Sequence, residues 1–264
     1  MQKILTIAGS DCSGGAGIQA DIKTITAHKM YAMSVITALT AQNTMGVYGV
    51  RDVEAGFVAA QIEACFSDII PDAVKIGMVS NEAIVRQIGI NLKKFNAKNI
   101  VVDPVMVATS GGKLISDEAI KCVVSELFSL ADIITPNLPE AEVLANMSIK
   151  SVEDMKKAAL NLAQICKGAV LVKGGHLDTN AVDILYSNGE FSTFEAPRIE
   201  TKNTHGTGCT LSSAIACGLG ANLDIKTAVA RAKEFVLNAL KTDIKIGQGN
   251  GAIDHYFRIN KIFD

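Results

Sequence analysis

Cys209 stands in the run Thr204-His205-Gly206-Thr207-Gly208-Cys209-Thr210-Leu211, just ahead of a small apolar segment, Ser213-Ala214-Ile215-Ala216-Cys217. Two glycines before a helix leave backbone N–H groups pointing at one spot, and the helix dipole adds partial positive charge there. Gly206, Thr207, Gly208 and Cys209 would together form an anion hole suited to a phosphoryl group in flight. A thiol in the first turn of a helix is expected to have its pKa lowered. The thiolate could then take a proton from an attacking hydroxyl. The bland alternatives are a Gly-rich helix start with no ligand and an inert buried cysteine.

Two further segments point to phosphate handling. Asp132-Ile133-Ile134-Thr135-Pro136-Asn137-Leu138-Pro139-Glu140 reads as strand, turn and helix start. Asn137 and Glu140, three residues apart, could hold a magnesium shell through water; alternatively Glu140 only satisfies the helix dipole. Val170-Leu171-Val172-Lys173-Gly174-Gly175-His176 puts Lys173 at the C-terminal end of a buried strand, where open α/β sheets bind ligands. A lysine there can clamp phosphate, or it is a solvated strand-end charge. His176 alone reads as structural.

The front of the chain carries a competing signal. Gly9-Ser10-Asp11-Cys12-Ser13-Gly14-Gly15-Ala16-Gly17 follows the first strand-like run, and Gly15 to Ala20 fits a dinucleotide-binding pattern. That pattern wants an acidic residue about twenty positions on, and Ala41-Gln42-Asn43 supplies none. The other readings are a tight turn and a mobile Gly-rich segment that closes over a ligand. No Walker A sequence is present, so any ATP phosphates must be held in another way.

Short apolar runs alternating with helical patterns must position these groups. Ile4–Ala8, Met33–Leu39, Ala73–Ile76, Ile100–Val102, Ile133–Ile134 and Val170–Val172 read as buried strands. Ala16–His28, Glu54–Ser67 and residues 80–95, 116–129, 151–165, 207–220 and 225–242 have helical patterns. Strands apolar on both faces and separated by helices predict a mainly parallel sheet covered on both sides. Asn188-Gly189, between Asp183–Tyr186 and Phe191–Phe194, predicts an antiparallel hairpin near the C-terminal side.

The 264 residues, 48% hydrophobic and without a linker or repeat, are expected to form one domain over 1–264. The net charge of -2 with interspersed signs argues against nucleic acid or a polybasic membrane contact as partner. The N-terminal apolar run is too short for a signal peptide, and no run is long enough for a transmembrane helix. Six cysteines without CxxC or zinc-finger spacing read as reduced thiols in a cytoplasmic protein.

In order along the chain, Thr6–Asp11, Ser13–Asp21, Thr37–Thr44, Lys75–Met78, Asp103–Met106, Thr135–Ala141, Lys173–His176 and Thr204–Thr210 resemble the hydroxymethylpyrimidine/phosphomethylpyrimidine kinases of the ribokinase-like superfamily. Each segment is weak alone, but the eight in sequence are specific, and they reach from residue 4 to about residue 220. The resemblance implies a three-layer sandwich with a central, mainly parallel sheet between helices, in a homodimer. It implies ATP and Mg2+ as cofactors and two successive reactions in thiamine biosynthesis. The first phosphorylates the hydroxymethyl of 4-amino-5-hydroxymethyl-2-methylpyrimidine, and the second converts the monophosphate to the pyrophosphate.

By the same resemblance, Gln42 would read the pyrimidine through its side-by-side donor and acceptor. Met78 and Val105 would wall the ring pocket, with Gly9 and Ala16 near the ring and the hydroxymethyl. Cys209 would take the base position over the Gly206–Cys209 anion hole, and Asn137, Glu140 and Lys173 would serve magnesium and the ATP phosphates. The adenine site is expected around the C-terminal helices. The runner-up is a pyridoxine/pyridoxal kinase on the same scaffold. A nicotinamide-dependent dehydrogenase and a non-catalytic pyrimidine sensor are the readings from other classes. A chain ending at Asp264 leaves no room for a second catalytic domain, so a stand-alone kinase is expected.

Overall fold

A computed structural model describes residues 1–106, 115–175 and 181–259 of the chain. The buried apolar runs become strands of a single nine-stranded sheet: β1 (Lys3–Asp11), β2 (Tyr31–Asn43), β3 (Gly46–Asp52), β4 (Ala73–Ile76), β5 (Ile100–Val102), β6 (Ile133–Ile134), β7 (Ala169–Gly174), β8 (Ala181–Ser187) and β9 (Glu190–Ala196). The order across the sheet is β3-β2-β1-β4-β5-β6-β7-β8-β9. From β2 to β7 every pairing is parallel. The β8–β9 hairpin turns on Asn188 and Gly189, at φ 51° and 83°, the positive values that its Asn-Gly pair accommodates.

The helices are α1 (Gly17–Ala27), α2 (Ala55–Asp68), α3 (Glu82–Lys94), α4 (Asp117–Cys122, continued as one π-helical stretch Val123–Phe128), α5 (Leu138–Ala145), α6 (Val152–Ala163), α7 (Thr207–Gly220) and α8 (Ile225–Lys241). Side chains alternate across each strand, so each strand serves two cores. Leu5, Ile7, Val74, Ile76 and Val102 pack under α2 to α6. Ile4, Ala73, Val101 and Ile133 pack under α1, α7 and α8. The result is the three-layer α/β sandwich expected, with its mainly parallel sheet and its hairpin near the C-terminal side. Among the described residues, no helix is long and apolar enough to cross a membrane.

One difference from the sequence reading matters. The Met33–Leu39 strand runs on to Asn43, and the chain turns back as β3, antiparallel to β2. This hairpin went unread because β3 is a largely exposed edge strand without buried alternation. His176 lies outside the described residues.

Helix caps separate the site from the scaffold. Glu54, Asn81, Ser116, Asn137, Ser151 and Asp224 each accept a first-turn N–H with their side chains, capping α2 to α6 and α8. At α1 and α7 the N-cap residues are Ala16 and Gly206, and neither makes a side-chain cap. Uncapped first turns keep their orphan donors for something else.

Candidate active site

The C-terminal ends of the parallel strands open into a cleft of about 1260 Å³. All the residues singled out as candidates line it: Gly9, Ala16, Gln42, Met78, Val105, Asn137, Glu140, Lys173, Gly206, Thr207, Gly208 and Cys209. Gln42 and Cys209 therefore share one cavity although 167 positions separate them in the chain.

The first turn of α7 is the hinge point of this arrangement. Gly206 adopts φ 82°, and a Cβ there would lie 1.9 Å from the carbonyl oxygen of Gly15. Only glycine permits that approach, which seats the front loop against the start of α7. Two residues on, the site where Gly208 would carry a Cβ is 3.4 Å from Lys173 Nζ and 3.6 Å from Asp103 Oδ2. The anion hole is thus flanked by the front loop on one side and by a lysine–aspartate pair on the other.

Asp11 organises the front loop. Its carboxylate accepts from the backbone of Ser13, Gly15 and Ala16 at 2.9–3.2 Å, from the Ser13 hydroxyl at 2.7 Å, and from His205 Nε2 at 2.8 Å. Burial works to raise this carboxyl, but the hydrogen bonds from His205 and Ser13 outweigh it and hold it down at about 2. The Gly-rich run is therefore a turn built around a carboxylate, with Gly14 and Gly17 at φ 84° and 55°.

Gln42 follows at the end of β2. Its Oε1 lies 3.2 Å from the Thr40 hydroxyl, and its Nε2 lies 3.3 Å from His205 Nε2.

Lys173 is no solvated strand-end charge. Its ammonium donates to Asp103 Oδ1 at 2.9 Å, with side-chain exposures of 14% and 3%. Asp103 also accepts from the hydroxyls of Thr135 and Ser212. Burial would raise the Asp103 carboxyl, but Lys173 and Lys75 hold it low.

Asn137 and Glu140 first satisfy the bland alternative. They form a capping box on α5: Asn137 Oδ1 accepts from Glu140 N at 2.9 Å, and Glu140 Oε2 accepts from Asn137 N at 2.8 Å. Yet Glu140 is nearly sealed, and burial, opposed by Lys173, pushes its carboxyl up to about 7. Among the described residues no cluster of three His, Cys, Asp or Glu forms a metal cage. The carboxylate oxygens of Glu140 and Asp103 are donors of the kind a hard cation takes together with water.

The expected lowering of the Cys209 pKa is reversed. Cys209 does sit in the first turn of α7, and the Gly17 backbone at the start of α1 also works to lower it. Burial nevertheless wins over the opposing Lys75 ammonium and pushes the thiol up to about 11. Removing a thiolate from water costs more than two helix starts return.

Several site residues escaped the sequence reading. Asp103, at the end of an apolar strand, carried the same signal as Lys173. Lys75 stood as one charge inside the apolar run Ala73–Ile76. Asp183 on β8 and Lys233 on α8 form an ion pair in the same cleft, near Val236, Leu237 and Leu240. No local pattern could have joined those two.

A parallel sheet sandwiched by helices, with an uncapped glycine-flanked helix start facing lysine and carboxylates, defines a ribokinase-like small-molecule kinase. A family model described as phosphomethylpyrimidine kinase matches residues 11–254. The chain belongs to that family. It is 47% identical over 258 residues to a hydroxymethylpyrimidine/phosphomethylpyrimidine kinase of Rhizobium meliloti, covering 96% of this chain and 97% of that one. The phosphomethylpyrimidine kinase structure from Clostridium difficile 630 matches at TM-score 0.82 and 48% identity, covering 91% of this chain and all of that one. A Staphylococcus aureus pyridoxal kinase, solved with AMP-PCP and pyridoxal, matches at TM-score 0.90 and 35% identity, covering 98% and 96%. The chain spans about half the length of bifunctional relatives, such as a Geobacter sulfurreducens thiamine biosynthesis protein, 45% identical over 262 residues and 54% covered.

Proposed function

We propose that this kinase phosphorylates the hydroxymethyl group of 4-amino-5-hydroxymethyl-2-methylpyrimidine, and then the resulting monophosphate, using ATP. One observation carries the reading: Gln42 and Cys209 face a single cleft, with the uncapped start of α7 beside them. The Gln42 amide grips the aminopyrimidine edge. Met78 and Val105 wall the ring, and Gly9 and Ala16 allow its close approach.

The substrate hydroxyl oxygen attacks the γ-phosphorus, and the bond to the ADP oxygen breaks. The N–H groups of Gly206 to Cys209 and the Lys173 ammonium receive the migrating phosphoryl charge. Cys209, in its minor thiolate form, accepts the hydroxyl proton and becomes the thiol. Such transfers pass through a loose transition state, so positioning dominates and the proton leaves late. A raised thiol pKa is compatible with that order. Glu140, with Asn137 fixing the turn, would hold magnesium through water, and the cation would supply neutralisation of the phosphate charge. The apolar residues Val236, Leu237 and Leu240 of α8 suit the adenine.

The six free cysteines suit a reducing, cytoplasmic setting. Met45, Tyr48 and Val50, exposed on and beside the β3 edge strand, support a homodimer, because exposed apolar edges otherwise invite aggregation.

The second reading is a pyridoxal kinase, favoured by the likeness to the pyridoxal-bound Staphylococcus aureus structure. Coupled ADP release over both ring compounds separates the two. The pyrimidine should show the higher kcat/KM, and a preference for pyridoxal would reverse the assignment.

A further inference from the structure

Below Cys209, α1 and α7 meet through a ladder of polar contacts. Gly17 and Asp21 are one turn apart on α1, as are Cys209 and Ser213 on α7, so each pair shares a helix face. Gly17 opens α1, and Cys209 lies in the first turn of α7. One rung down, Ser213 Oγ donates to Asp21 Oδ1 at 2.7 Å. Lys75 enters from β4 and donates to both Asp21 oxygens, at 2.9 and 2.8 Å, and Thr6 adds its hydroxyl to Oδ2. Asp21 and Lys75 are both fully sealed from solvent, at 0% side-chain exposure. Gly77 keeps the space over the ammonium open: a Cβ there would lie 2.6 Å from Lys75 Nζ.

A sealed ion pair is a poor way to gain stability, since apolar residues of similar volume often do as well. Its place suggests another use. The charged groups acting on Cys209 come from every element around it: Asp21 from α1, Lys75 from β4, Asp103 from the end of β5 and Lys173 from β7. Two cations face two carboxylates, so an ionised Cys209 adds the odd negative charge. Lys75 is the foremost group favouring it.

We infer that Lys75 is a positioning residue for Cys209, its ammonium clamped by Asp21 beneath the first turn of α7 so that it stabilises the thiolate. This rests on the reading of Cys209 as the proton acceptor. When the hydroxyl proton passes to Cys209, sulfur gains the proton and oxygen keeps the electron pair that bonds phosphorus. The Lys75 proton inventory does not change.

Opposite charge changes at the pair test this. Asp21→Asn leaves the ammonium without its counter-charge, and Lys75→Met leaves the carboxylate without its own. A purely structural pair predicts the same kind of loss from both. A charge device predicts opposite effects on the thiol. The measurement is the rate of iodoacetamide alkylation at Cys209, followed on the isolated peptide at pH 8 without substrate. Lys75 acts on the thiol more strongly than Asp21 does, so Lys75→Met should slow alkylation by about tenfold, as for one pKa unit, and Asp21→Asn should speed it by only about threefold. Equal rates, or shifts in one direction only, overturn the proposal.

Should either single variant fail to fold, the double Asp21→Asn/Lys75→Met removes both charges together. It should alkylate more slowly than wild type, and an unchanged rate overturns the proposal. The assay reads the resting thiol, so it stands apart from the base assignment, which the turnover of Cys209→Ala decides.

Discussion

The Asp11 carboxylate lies 2.8 Å from Nε2 of His205, joining the front loop to the segment that opens α7 across 194 positions of sequence. A carboxylate only accepts, so Nε2 must carry a hydrogen. The Gln42 amide nitrogen, 3.3 Å from the same Nε2, therefore finds no acceptor there and stays available to a ring nitrogen. Its oxygen lies 3.2 Å from the Thr40 hydroxyl, which shares its one hydrogen with the Ser10 carbonyl at 3.0 Å. The Asp11–His205 pair thus keeps His205 from consuming the Gln42 amide nitrogen, which suits the ring-reading role proposed for it.

Asp11→Asn weakens the hold on His205 and on the loop. A charge-assisted hydrogen bond of this kind is worth about 1.5–3 kcal/mol. The expected outcome is a KM for the pyrimidine raised at least tenfold, with KM for ATP changed much less. Steady-state kinetics with each substrate varied in turn check this; equal rises in both would detach Asp11 from ring recognition.

Cys209→Ala should lose about 10²–10⁴-fold in kcat, the usual range for general-base help, while calorimetry still shows the pyrimidine binding. On the proposed role the active form is the thiolate, and burial has raised the thiol to about 11. Below that value the wild-type rate should therefore climb with pH, by up to tenfold per unit, and the alanine variant should be flat. A wild-type profile that levels off near neutrality would point to a different proton acceptor.

Lys173 and Asp103 are expected to separate stability from activity. Lys173→Met leaves Asp103 sealed and unpaired, so it should lower both the melting temperature and kcat/KM for ATP, the latter more than tenfold. The double Lys173→Met/Asp103→Asn removes the orphan charge. It should recover melting temperature without recovering turnover, read by thermal unfolding and ADP release on the same samples.

His255 gives a prediction for acid stability. Its Nε2 lies 2.9 Å from Thr210 Oγ1, and burial, with the Lys23 charge, pushes the imidazole down from 6.5 to about 4. Between those values the unfolded chain binds the extra proton and the folded chain does not. The stabilising contribution is therefore complete above pH 6.5 and is lost as the pH falls through 4, by about 3 kcal/mol. Urea unfolding at several pH values should show this slope, and His255→Gln should flatten it.

The layered fold was legible because each cause is local. Apolar runs such as Ala73–Ile76, with Lys75 its one charge, Ile100–Val102 and Ile133–Ile134 coincide with observed strands, since a strand buried on both faces is nearly continuously apolar. The Asn188-Gly189 turn was legible because few residue pairs tolerate two positive φ values. The β3 edge was not, because an exposed strand lacks the burial that writes alternation into the sequence.

By itself the sequence determined the order of the buried strands and most of the helices, the glycine-flanked start of α7 and the residues around it that reach the cleft, all set by patterns within a few positions. Only the tertiary structure decided which charges meet: Asp11 with His205, Lys173 with Asp103, Lys75 with Asp21. It also reversed the protonation expected of Cys209. A pKa depends on the depth of burial and on charges brought in from other elements, and neither is written beside the residue that titrates.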